Sequence, residues 1–192
     1  FIKKTQADAV VIGEGEVTIL ELLDAIAKKR VLKDVKGIAF QDNETVVINE
    51  RRTLIKDIDS IPFPAYELFP IDYYRLLRMP HVTSSDFVMP ILSGRGYTFR
   101  CAFCYRMDKG FRQRSNESII EEIQFLKNRY GITYIAFSDE LLMSSVERTV
   151  SLCEDFIKAN LNVKWDCNGR LNYANPEVLK LMKKAGCVFI NY

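Results

Sequence analysis

The apolar positions change period several times along the chain. The run ADAVVIG at 7 to 13 is short and β-branched and predicts a buried strand, and Ile19, Leu20, Leu23, Ile26 and Ala27 then recur at helical spacing. Gly13-Glu14-Gly15-Glu16 joins the two. VKGIAF and TVVIN read as strands separated by QDNE, whose Asp and Asn favour a tight turn, so a hairpin is expected. Pro62, Pro64 and Pro70 within DIDSIPFPAYELFP each remove a backbone donor and restrict the preceding residue, which predicts a connection between two units.

Beyond residue 85 the pattern alternates regularly. DFVMPIL (86 to 92) predicts a strand, with Pro90 suiting an edge position, and a long loop follows. Ile119, Ile120, Ile123, Leu126 and Tyr130 predict a helix from about Ser115 to Tyr130, capped by Gly131. ITYIAFS is a second strand. Val146, Val150, Cys153, Phe156 and Ile157 mark a second helix, VKWDC a third strand, Asn175-Pro176 a capped third helix, and CVFINY a fourth strand after Gly186. Strands alternating with helices at this spacing predict βαβ units and a parallel sheet or barrel. Trp165 is expected in the core, and His81 to be a surface or packing histidine.

Composition changes this picture little. The chain has 192 residues, 48% of them hydrophobic, enough for one large domain or two small ones. A net charge of +2 points to neither nucleic acid nor membrane, and no apolar run approaches the roughly 18 residues of a spanning helix. Phe1 followed by KKTQAD resembles neither a start nor a secretory leader, so the chain reads as a piece of a longer one. Five cysteines, with one C-x-x-C pair, suit a reducing compartment better than a disulfide framework.

That pair, Cys101 and Cys104, lies in GYTFRCAFCYR after the first strand of the alternating series, where the loops of βα folds build ligand sites. Two thiolates three residues apart suit an iron–sulfur cluster, half of a zinc site, or a reduced pair with no ligand. Zinc would need two more ligands from His81, Cys153, Cys167 and Cys187, none of which forms a second pair. Arg95, Arg100, Arg106, Lys109, Arg112 and Arg114 crowd the same loop, as a solvated surface or as a balance to an anionic cluster or acidic substrate.

GRGYTFRCAFCYR, FSDE and NGR, each after a successive strand, together resemble the radical S-adenosylmethionine superfamily. The resemblance implies a [4Fe–4S] cluster held by three cysteines in the pattern C-x-x-x-C-x-aromatic-C, its fourth iron open to S-adenosylmethionine, which it cleaves reductively. On that pattern Cys101 and Cys104 match the second and third ligands, and Phe103 the aromatic beside the adenine. Ser138, Asp139 and Glu140 would lie at the methionyl amine and Arg170 at the methionyl carboxylate; the bland alternatives are a loop cap and a structural ion pair. Tyr97 falls where the first ligand should be. A phenol is a harder ligand than a thiol, with a pKa near 10. Tyr97 is then a loss-of-ligand change, the mark of an inactive member, or a position relieved by another thiol, Cys167 being best placed.

The segment before the prolines resembles the end of the cobalamin-binding domain that precedes many such modules, with Gly13, Glu14, Gly15 and Glu16 near the cofactor's nucleotide tail. The expected fold class is therefore α/β: the end of a Rossmann-like cobalamin-binding domain (1–54), a linker (55–85), and the first half of a partial (β/α) TIM-like barrel (86–192). The implied activity is cobalamin-dependent methyl transfer or radical cyclisation on a small-molecule substrate in the cytoplasm, with an electron donor such as flavodoxin or ferredoxin. No nucleic acid or membrane span is expected, and no catalytic residue is nominated. An inactive scaffold and a zinc-stabilised binding module are the competing readings.

Overall fold

The computed structural model describes residues 1–76, 79, 81–100 and 110–192. They form two compact units, Phe1–Lys56 and Asp57–Tyr192.

In the first unit a short helix α1 (Ile2–Thr5) precedes strand β1 (Ala9–Val11), helix α2 (Glu16–Ala27), and the hairpin β2 (Ile38–Asp42) and β3 (Thr45–Ile48). The sheet order is β1-β2-β3, antiparallel throughout, so this unit shows one strand–helix step and the expected hairpin. Helix α2 forms where its spacing predicts, but on a different face. It buries Thr18, Leu22 and Ala25 against Val35, Ile38 and Phe40, while Ile19, Leu20, Leu23 and Ile26 are exposed. Apolar residues surround this helix, so period alone does not select the face. Close approach does: an added Cβ on Gly37 would stand 3.1 Å from the Thr18 hydroxyl. Arg52 donates to that hydroxyl at 3.0 Å and pairs with Glu21.

The second unit opens with the proline-rich segment and the short helix α3 (Ile71–Tyr74). Strand β4 (Val88–Ile91) and the hairpin β5 (Gly94–Tyr97) and β6 (Gly110–Gln113) follow. Then come helix α4 (Asn116–Tyr130), β7 (Tyr134–Phe137), α5 (Val146–Lys158), β8 (Lys164–Asn168), α6 (Pro176–Lys184) and β9 (Cys187–Asn191). The parallel sheet runs β4-β7-β8-β9, in chain order, with Pro90 on its edge strand. A doubly wound sheet reverses direction at a switch point. This one does not, as in the wall of a (β/α) barrel.

Side chains alternate across each strand. Met89, Ile135, Phe137, Trp165 and Cys167 join Ile119, Ile123, Leu126, Leu152, Phe156, Val178 and Met182 in one core between sheet and helices. The other face carries a separate cluster of Val88, Tyr134 and Ala136. Caps act where expected: Ser115 Oγ accepts from Ser118 N, Asn175 Oδ1 from Val178 N, and Gly131 ends α4 in the left-handed region.

The proline-rich segment, read as a linker from sequence, packs on this unit. Tyr66 and Ile71 lie in its core, flanked by Phe63 and Tyr74. The Tyr66 hydroxyl donates to buried Glu122 at 2.7 Å, and Glu122 also pairs with Arg114. Arg114 donates to the carbonyls of Leu92 and Ser118 at 2.9 and 3.0 Å, so this member of the basic loop has a structural role. Breaking such a buried pair strands the remaining charge. Glu122→Ala is expected to cost about 3–5 kcal/mol in urea unfolding, and Tyr66→Phe, which removes a hydrogen bond to a charged group, about 1.5–3 kcal/mol. Near-neutral values for both would contradict the role assigned to the network.

Candidate cofactor site at the strand ends

The carboxyl ends of the four parallel strands are tied in a row. Ser138 N, just past β7, donates to Ile91 O at the end of β4 at 3.0 Å. The next residue, Asp139, is 2% exposed, and its carboxylate accepts from Ser93 N at 2.7 and 2.9 Å and from Gly94 N at 2.9 Å. Its carbonyl accepts from Asn168 Nδ2 at 2.7 Å. Asn168 Oδ1 in turn accepts from Asn191 Nδ2 at 3.0 Å, and Gly169 N donates to Asn191 O at 2.9 Å. Asn168 and Asn191 were not nominated from sequence, although Asn168 belongs to the NGR motif. Their amides can donate and accept at once, which lets each bridge two neighbours.

Glycines close the framework. An added Cβ on Gly94 would meet the Phe111 ring at 2.6 Å, and one on Gly96 would meet Gly110 O at 2.3 Å, so the hairpin carrying the thiol loop pairs only with glycine there. Tyr97, the last residue of β5, pairs with Gly110. Cys101, Phe103, Cys104, Arg106 and Lys109 lie outside the described residues.

Arg170, after β8, reaches this hairpin. Its Nη1 donates to the Tyr97 hydroxyl at 3.3 Å, its Nε donates to Asn172 Oδ1 at 3.2 Å, and its guanidinium lies 3.8 Å from the centroid of the Phe99 ring. Phe99 also meets Tyr97 edge-on at 5.7 Å. Ser138 and Glu140 are exposed beside buried Asp139, and Leu141, Leu142 and Met143 turn into the interior.

The remaining thiols are elsewhere. Cys167 is buried in the core between sheet and helices, and its neighbour Cys187 together with burial pushes its pKa up. Cys153, in the same core, is pushed up to about 12 by burial. Cys167 therefore does not relieve the tyrosine at position 97. Among the described residues no group of three or more His, Cys, Asp or Glu side chains is placed to hold a metal ion. His81 is pinned away from the strand ends: its Nε2 lies 2.8 Å from Asp166 Oδ2, which also accepts from the Tyr134 hydroxyl, and its ring stacks on Phe189 at 4.1 Å.

In the first unit, Gly13 has a φ of +89° and nothing within 4 Å of an added Cβ, so the turn between β1 and α2 presents open backbone. Gly15 is the N-cap of α2, which Glu16 begins. Glu14 accepts from Ile55 N at 2.8 Å. This carboxylate braces the chain.

Residues 91–192, over half of the chain, match the Radical SAM superfamily, and the chain belongs to it. It is 36% identical to an uncharacterised methyltransferase of Pyrococcus horikoshii, over 94% of this chain and 38% of that protein. It is 30% identical to the anaerobic magnesium-protoporphyrin IX monomethyl ester cyclase of Cereibacter sphaeroides, over 96% of this chain and 31% of that protein. Among solved structures, the radical S-adenosylmethionine methyltransferase TsrM of Kitasatospora setae, with cobalamin and a [4Fe–4S] cluster bound, aligns with a TM-score of 0.75 at 17% identity. That alignment covers 98% of this chain and 38% of that one. The cobalamin-dependent S-adenosylmethionine radical enzyme OxsB aligns at 0.76 and 22% identity, over 99% of this chain and 28% of its own. The fold is thus α/β with TIM-like barrel parts, and the chain spans well under half the length of these relatives.

Burial raises the Asp139 pKa to about 6, against the lowering effect of the Ser93 and Gly94 hydrogen bonds. The folded state then holds this proton at pH values where the unfolded state has lost it, so stability falls as pH rises through that window. Between pH 4 and 6.5 the chain is expected to lose about 2–3 kcal/mol through this group. Asp139→Asn, which does not titrate, should flatten that part of a urea-unfolding series; an unchanged pH slope would contradict the assignment.

Proposed function

We propose that this chain carries the S-adenosylmethionine-binding part of a radical S-adenosylmethionine enzyme of the cobalamin-dependent type, whose reaction is methyl transfer or radical cyclisation on a small molecule. The observation that carries the reading is the row of ties at the strand ends, in which one buried carboxylate joins the start of the thiol-loop hairpin to the loops after β7 and β8. Exposed main chain and hydroxyl at Ser138, with Glu140, supply acceptors for the methionyl amine, which needs them. Arg170 supplies a planar fork for the carboxylate, and Phe103 an aromatic surface for the adenine. Asp139 acts from behind by fixing Ser93 and Gly94, so it is a positioning residue.

The cluster is a separate matter. A cube with one open iron takes three protein thiolates; this chain offers Cys101 and Cys104, while the hydroxyl at position 97 is engaged by Arg170 and Cys167 faces the core. That set is one thiolate short, so Tyr97 is read as a loss-of-ligand change, and the reductive cleavage that methyl transfer or cyclisation needs belongs to the form with a thiol at position 97. The Rossmann-like unit (1–54) is read as the end of a cobalamin domain, with Gly13, Glu14, Gly15 and Glu16 shaping the turn toward the cofactor's tail, and residues 55–85 as the connection to the barrel part (86–192). A full-length enzyme of this kind would draw electrons from a flavodoxin or ferredoxin in a reducing, cytoplasmic setting.

Tyr97→Cys tests this. After anaerobic reconstitution the variant should hold about four irons and four sulfides per chain, as a [4Fe–4S] cube requires, and form 5′-deoxyadenosine with a reductant, while the tyrosine form does neither. Equal iron loading and cleavage by both forms would overturn the reading of position 97.

A further inference from the structure

We propose that Tyr97 is a positioning residue for Arg170: its hydroxyl and the neighbouring Phe99 ring hold the guanidinium at the strand ends in a pose that receives a carboxylate. This rests on the reading of the site as one for S-adenosylmethionine. Arginine is long and rotamer-rich, and an unrestrained guanidinium loses much of that freedom on pairing with an anion. Contacts among the described residues restrict it before any ligand arrives. The phenol oxygen accepts from Nη1 at 3.3 Å, Asn172 Oδ1 accepts from Nε at 3.2 Å, and the guanidinium carbon stands over the Phe99 ring, 3.8 Å from its centroid. Tyr97 is itself held by strand pairing with Gly110 and by edge contact with Phe99, so the support is not a floating side chain.

The residue types matter. A cysteine at 97 would be too short to reach a guanidinium now met by the far end of a phenol ring, and a phenylalanine would keep the ring and lose the acceptor. Restoring a thiol and holding Arg170 are therefore alternative uses of one position.

Two measurements decide the proposal on the chain itself. The first compares S-adenosylhomocysteine, which carries the carboxylate, with 5′-methylthioadenosine, which lacks it, by calorimetry. Tyr97→Phe is expected to weaken the first ligand about tenfold, as loss of a hydrogen bond to a charged group would, leave the second unchanged, and add nothing in an Arg170→Ala background. Equal weakening of both ligands, or of neither, overturns it. The second needs no ligand: among the Arg170 Nη–H resonances, assigned with Arg170→Lys, the one bonded to the Tyr97 hydroxyl should exchange slowly in the parent and fast in Tyr97→Phe. An unchanged resonance overturns the tie whatever the calorimetry shows. If the parent binds neither nucleoside, the cofactor reading of the site falls and the carboxylate part of this proposal falls with it, while the resonance still reports whether Tyr97 holds Arg170.

Discussion

A buried negative charge needs donors, and at Asp139 the donors are two backbone N–H groups at the start of the neighbouring hairpin. Everything at the strand ends depends on that exchange. Parallel strands leave main-chain groups without ladder partners at their carboxyl ends, and the usual answer is water or a ligand. Here a side chain from the end of β7 takes the Ser93 and Gly94 donors, and Asn168 and Asn191 extend the connection through β8 to β9. The hairpin that leads into the thiol loop thus leaves the sheet at a fixed place, and Arg170 comes to face Tyr97, the last residue of its first strand.

A second network supports the first from outside. Arg114, immediately after β6, is locked by Glu122, the Leu92 carbonyl and the Ser118 carbonyl, while Glu122 also receives Tyr66 from the proline-rich segment. One end of the hairpin is therefore held by a carboxylate beyond β7 and the other by a carboxylate on α4. Both strands of the hairpin are thus held at its base by charge-assisted hydrogen bonds, which are the stronger kind.

Much of this was legible in the chain. Helices α4, α5 and α6 carry clear apolar stripes, and Gly131 and Asn175 mark ends of two of them, so their positions followed from local chemistry, while the Ser145 cap of α5 came only with the structure. The face of α2 did not, because apolar residues surround it and the small residues Thr18 and Ala25 decide how near the sheet can come. Residues 55–85 read as a linker because of their prolines, yet Tyr66 and Ile71 belong to the core of the second unit. Motif spacing brought out Asp139 and Arg170, but their partners were hidden. A carboxylate serving the backbone of another loop, or an asparagine bridging two strands, leaves no periodic trace. The cation run near the thiols likewise concealed that Arg114 is a structural residue.

The tie from Asp139 to Ser93 and Gly94 is most directly tested by residue-resolved amide hydrogen exchange. In the parent chain the Ser93 and Gly94 amides should exchange as slowly as those of β7 and β8. In Asp139→Ala they should become fast while the core amides of α4 and α5 stay protected. Slow exchange at Ser93 and Gly94 in the variant would mean that something else holds the hairpin, and the account of the strand-end site would fail.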